Sequence, residues 1–154
     1  MGSEMCIRDS LQALHLKPHY VEARNNLGNV YRAQGNLKGA VSAYRQAIEQ
    51  NSDYAACHNN LGVALKEMRD LDGAAQAYQE ALRLQPQNAE AHFNLGIVLA
   101  EREQYEEAAT EFRSAISINP EYAKAHNNLG LMMLGGRDRA VSYTHLTLPT
   151  ILLV

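Results

Sequence analysis

The tetrapeptide Asn25-Asn26-Leu27-Gly28 returns as Asn59-Asn60-Leu61-Gly62 and as Asn127-Asn128-Leu129-Gly130, with Phe93-Asn94-Leu95-Gly96 between them. The glycines stand at 28, 62, 96 and 130, a step of 34 residues each time. The same step joins Ala40, Ala74 and Ala108, then Tyr44, Tyr78 and Phe112, then Ala47, Ala81 and Ala115. Pro18, Pro86 and Pro120 share one phase, with Ser52 in that phase in the remaining unit. A period of this length, held by several columns at once, specifies an array of supersecondary units. Each unit buries its apolar face only against its neighbours.

Inside a unit the apolar and small positions fall at helical spacing. Leu27, Gly28 and Tyr31 lie one turn apart, and Ala40, Tyr44 and Ala47 follow i, i+4, i+7. Two amphipathic helices per unit are predicted, over 21–33 and 37–49 in the first, with a turn at Gln34-Gly35-Asn36 where Gly35 can take positive φ. The proline column is expected to stop the second helix of each unit, since proline cannot continue the hydrogen-bond ladder. Gly28 and Ala40 let the paired helices approach closely, and a bulky side chain there overpacks at a cost of about 1–3 kcal/mol.

These columns resemble the tetratricopeptide repeat family. Its sequence of Leu-Gly, an aromatic or Leu, Ala, an aromatic, Ala and Pro is carried by Leu61-Gly62, Leu65, Ala74, Tyr78, Ala81 and Pro86. The chain departs from it where the family often has Trp, four residues before the glycine: Arg24, His58, His92 and His126 stand there. The resemblance covers about residues 11–134 and implies an all-α solenoid of antiparallel helix pairs, a right-handed superhelix with the first helices lining a concave face. The expected organisation is the end of a truncated repeat at 11–20, full repeats at 21–54, 55–88 and 89–122, and the first helix of a truncated repeat at 123–139.

The two ends read differently. Met1–Ser10 resembles the translation of a transposase adapter used in sequencing libraries, and 140–154 resembles the reverse complement of the partner adapter. On that reading both stretches are non-native and stand outside any functional argument, leaving Cys57 as the native cysteine. The first ten residues also lack the apolar run a secretion signal needs.

Composition narrows the function. A formal net charge of -3 offers no basic face for nucleic acid or anionic membrane. No apolar run approaches the roughly 20 residues of a membrane span, which fits a soluble chain. Two cysteines form neither a disulfide framework nor a metal set, and are compatible with a reduced, intracellular compartment.

Asn26, Asn60, Asn94 and Asn128 form the column that carries binding chemistry. Asn is a mediocre helix former, so four in one phase need a reason. A side-chain amide both donates and accepts, and a ladder of them can grip an extended peptide backbone without reading its sequence. The alternative is structural, with each Asn bridging helices or capping carbonyls within the array. The ladder resembles that in the repeat superhelix of O-linked N-acetylglucosamine transferases, which implies a substrate-recruiting arm whose catalytic domain lies elsewhere. The repeats that clamp acidic chaperone tails need lysines where this chain has Asn25, Glu90 and Asn94, so Asn29 and Asn60 alone do not make that clamp.

His58, His92 and His126 repeat too, but successive helices set them on the order of 10 Å apart, too far for one metal ion. They read as packing residues in place of Trp. Glu101, Glu103, Glu106 and Glu107 read as a solvated helix end and turn. No phosphate loop or catalytic constellation is present, so the expectation is a non-enzymatic chain without metal or cofactor, binding a protein or peptide. Self-association through uncovered solenoid ends is the structural alternative.

Overall fold

The computed structural model describes residues 2–16 and 20–141, so Pro18 and the adapter-like tail from residue 142 onward lie outside the described residues. The described residues form eight helices and no strand: α1 (Gly2–Leu16), α2 (Val21–Ala33), α3 (Leu37–Gln50), α4 (Ala55–Glu67), α5 (Leu71–Leu84), α6 (Ala89–Glu101), α7 (Tyr105–Ile118) and α8 (Ala123–Val141). The all-α repeat architecture matches the sequence expectation. α1 runs without a break through residues 10 and 11, and its Ser10, in the phase of the aromatic column, is buried.

The first helices α2, α4 and α6 end in the same left-handed turn. Gly35, Arg69 and Glu103 have φ of 76°, 66° and 63°. The next N–H reaches back five residues, from Asn36 to Tyr31, Asp70 to Leu65 and Gln104 to Leu99, closing a Schellman motif. The glycine expected to turn freely does so. Arg69 and Glu103 adopt the same geometry despite carrying a Cβ, because the closing hydrogen bond and the packed hairpin over-determine it. The second helices start on side-chain caps where the residue allows one: Asn36 accepts from the Gly39 N–H and Asp70 from the Gly73 N–H, both at 2.9 Å.

The second helices end at Gln50, Leu84 and Ile118, in one register, whether Ser52, Pro86 or Pro120 follows. Proline is therefore not what stops them, contrary to the expectation from the column. The residue after each helix swings to an extended φ, -147° at Asn51, -134° at Gln85 and -128° at Asn119. Where that residue is Asn, its side chain accepts the N–H two residues on, from Asp53 and from Glu121.

The helices pair as α2 with α3, α4 with α5 and α6 with α7, and each second helix then packs on the next first helix. First helices also touch one another, α2 with α4 and α4 with α6, and no comparable packing joins α3 to α5 or α5 to α7. The first helices therefore lie on the tighter, inner side of the curve.

Between the layers runs a core of Tyr44, Tyr78, Phe112, Ala40, Ala74, Ala108, Ala47, Ala81 and Ala115, all fully buried, with Leu27, Leu61 and Leu95 also buried. Each ring lies flat against a glycine of the facing helix. A Cβ built on Gly28, Gly62 or Gly96 would sit 2.4, 2.7 or 2.7 Å from the nearest carbon of Tyr44, Tyr78 or Phe112. Only a residue without a Cβ permits this approach.

Candidate functional site

The four asparagines stand one on each of α2, α4, α6 and α8, and they differ in exposure. Asn26 is exposed, while Asn60, Asn94 and Asn128 are half-buried. The Asn60 amide donates to the Oδ1 of the buried Asn25 at 2.9 Å, bridging α4 to α2. Asn128 donates to the Lys124 carbonyl one turn earlier at 2.8 Å. Its counterpart bridge is impossible, because the position 35 residues before it is Phe93. Asn26 and Asn94 make no hydrogen bond among the described residues. Asn60 thus ties neighbouring repeats together, while the Asn26 and Asn94 side-chain amides are unengaged among the described residues.

Phe93 takes a different part. Its ring stacks at a tilt on Phe112, centroids 5.7 Å apart, and on Tyr122 at 5.0 Å, filling the seam between α6, α7 and the loop before α8. In the preceding unit the same position is Asn59, which is buried with its Oδ1 unpartnered among the described residues.

The histidine column has a role that sequence reading missed. His58 Nε2 lies 2.8 Å from the Ser52 carbonyl, His92 Nε2 2.9 Å from that of Pro86, and His126 Nε2 2.8 Å from that of Pro120. A carbonyl only accepts, so Nε2 carries the proton in each ring. Each histidine pins the loop that precedes its own helix, at the residue of the proline column. His92 also meets Glu111 Oε2 through Nδ1 at 2.6 Å, tying α6 to α7. Arg24, in the same column, donates to Gln46 instead. The acceptors are backbone atoms, which leave no mark in sequence; the only available clue was that both columns run in one phase, six residues apart. Among the described residues no group of three or more His, Cys, Asp or Glu is arranged to hold a metal ion. No helix among them is long and apolar enough to cross a membrane.

The hydroxyls behind the groove are matched unit by unit. Tyr44 Oη donates to Asn29 Oδ1 at 2.7 Å. In the next units the Asn29 position holds Val63 and Ile97. Tyr78 Oη is accordingly buried without a partner, and the third unit has Phe112, with no hydroxyl to satisfy. Tyr44→Phe should therefore destabilise by about 1 kcal/mol, whereas Tyr78→Phe should be neutral or stabilising by about the same amount. Urea unfolding of the two variants checks this. Equal destabilisation would mean that the Tyr78 hydroxyl is satisfied. Asn29 is engaged through its Oδ1, which accepts from Tyr44, and Asn60 through its amide, which donates to Asn25.

Comparison with known proteins agrees with this geometry. Residues 59–123 match one sequence family described as tetratricopeptide repeat, and residues 28–68 match a second described as TPR repeat. The fold is similar to the crystal structure of MamA, at 28% identity and a TM-score of 0.80, over 89% of this chain and 81% of that one. It is similar to the TPR domain of Arabidopsis OM64 at 26% identity and TM-score 0.71, over 73% and 93% of the two chains. The first TPR of Spaghetti (RPAP3), solved with the HSP90 peptide SRMEEVD, shares the fold at 18% identity and TM-score 0.75, over 76% and 93%. No curated protein matches.

Proposed function

We propose, since residues 28–123 of this chain are tetratricopeptide repeats, that the protein is an interaction scaffold that holds an extended peptide along the inner face of α2, α4, α6 and α8. The observation that carries this reading is the pair of unengaged amides, Asn26 and Asn94, in one phase on α2 and α6. Each can pair with the N–H and C=O of a bound main chain at about 0.5–1.5 kcal/mol per hydrogen bond. The rungs between and beyond them are partly used. Asn60 still offers its Oδ1, and so does Asn128. Recognition of this kind reads backbone more than side chains, so one groove accepts many sequences.

The test is binding of peptides selected by display against the intact chain. Asn26→Ala with Asn94→Ala should weaken them roughly tenfold or more, with thermal stability unchanged, because neither side chain is engaged within the fold. Asn60→Ala is the contrast: it should lower stability by breaking the bridge to Asn25. Undiminished binding by the Asn26/Asn94 double variant would remove the ladder from the function.

A further inference from the structure

Two rungs of the asparagine column spend the same end of the side chain inside the fold. Asn60 donates its amide N–H to Oδ1 of Asn25 at 2.9 Å, and Asn128 donates its own to the Lys124 carbonyl at 2.8 Å. In both, Oδ1 is the end without a partner among the described residues. The rung between them has a seat of the same kind. One repeat after the Asn25–Asn60 pair, the same two positions hold Asn59 on α4 and Asn94 on α6. Asn59 is 8% exposed, and its Oδ1 is a buried acceptor with no donor among the described residues. The half-buried, unengaged amide of Asn94 carries the donor that this register brings to it.

We infer that the column is a ladder of acceptors, which selects a peptide through the N–H groups of its main chain and leaves the carbonyls alone. A peptide N–H that reaches Oδ1 of Asn94 fixes that side chain with its amide turned to Asn59. Binding thus closes between α4 and α6 the bridge already closed between α2 and α4. Asn59 is a positioning residue in this arrangement, since it holds Asn94 with the oxygen outward. Asn26 is exposed and engaged at neither end, so it does not set the polarity. The ligand class follows from the polarity. It is an extended segment whose N–H groups are unpaired, with no proline or N-alkylated residue at the rungs, because proline has no N–H to give. The inference rests on the groove reading above and deepens it.

The test separates donor from acceptor on both sides of the contact. The probe is a display-selected peptide without charged side chains, titrated into the full chain at high salt, where charge effects are screened. Asn94→Asp keeps the oxygens and removes the donor. It should hold affinity within about twofold, while Asn94→Ala should weaken it about fivefold or more, the ratio set by one net hydrogen bond. Replacing single peptide amides by esters, which removes the N–H, should weaken binding by a similar factor at the contacted residues. Asn59→Leu should weaken binding by the native chain and change nothing in an Asn94→Ala background, with the fold checked by circular dichroism. Position 59 accepts an apolar side chain, since its counterpart one repeat on is Phe93. Equal losses in Asn94→Asp and Asn94→Ala would overturn the acceptor polarity, and so would ester substitution without loss at any residue. Equal losses from Asn59→Leu with and without Asn94 would strike Asn59 from the contact. The ester and Asn94→Asp arms stand whether or not Asn59→Leu folds. Undiminished binding by Asn26→Ala with Asn94→Ala is a different failure, that of the groove reading itself.

Discussion

Gly62→Ala is expected to lower the melting temperature by roughly 4–8 °C, while Gly130→Ala should leave it unchanged or raise it slightly. The two substitutions add the same methyl group to the same position of two repeat units, two steps of 34 residues apart. At Gly62 the new Cβ would lie 2.7, 2.8 and 2.9 Å from three ring carbons of Tyr78, closer than non-bonded carbons approach. That ring is fully buried, with Ala74 and Ala81 on its own helix equally enclosed, so it has nowhere to swing. Overpacking of this kind costs about 1–3 kcal/mol, partly offset by the roughly 1 kcal/mol that alanine gains over glycine within a helix. The enclosure of the ring puts the cost at the upper end of that range, so the net loss is about 2 kcal/mol, which in a chain of this size corresponds to a shift of roughly 4–8 °C. At Gly130 only the favourable term operates, since among the described residues no neighbour lies within 4 Å. Because each unit of a solenoid is stabilised by its neighbours, the Gly62 change also loosens α4 from α5 in the centre of the array. Thermal melts by circular dichroism decide it. Equal melting temperatures for the two variants would show that the Tyr78 ring adapts, and that the glycine column is not a packing requirement.

Gly62 and Tyr78 are both legible in the sequence, because packing in a repeat is local and periodic. Glycine and aromatic ring keep the 34-residue step, and two side chains that must meet leave two columns. What escapes the sequence is of another kind. The histidine clasps close on backbone carbonyls, which every residue has. The bond from Asn60 to Asn25 crosses from one repeat to the next and depends on side-chain rotation, so the asparagine column looks uniform although its members do different work. The left-handed turn at Arg69 and Glu103 is legible only at Gly35, where the residue type advertises it. The proline column misleads in the other direction: Ser52 in the same phase shows that helix ends there do not require proline.

Stability should fall steeply above pH 9, and the loss should be traceable to buried hydroxyl and thiol groups rather than to ion pairs. Burial pushes the Cys57 thiol from 9.0 up to about 12 and the Tyr44 phenol from 10.0 up to about 12, and it raises Tyr78 as well. A group whose folded pKa is raised contributes fully below its unfolded pKa. That contribution is lost as pH climbs from the unfolded value towards the folded one, because only the unfolded chain can release the proton. For Cys57 the window runs from about pH 9 to 12, and for Tyr44 from about pH 10 to 12. At 1.36 kcal/mol per unit, Cys57 alone accounts for a loss on the order of 4 kcal/mol across its window, a large part of the 5–15 kcal/mol typical of a folded domain. The salt bridges contribute little to this profile. Arg69–Glu101 and Arg102–Asp72 lie at the surface, where such pairs are worth about 0–1 kcal/mol. Cys57→Ala isolates the thiol, and the site accepts it: Ala23, Ala91 and Ala125 occupy the same position in the other units, and all are buried. This variant should delay the onset of alkaline unfolding from about pH 9 towards pH 10, and Tyr78→Phe should flatten the tyrosine part of the curve. Urea midpoints measured from pH 8 to 11 test the assignment. An unchanged onset in Cys57→Ala would mean that the thiol ionises without unfolding the repeat around it.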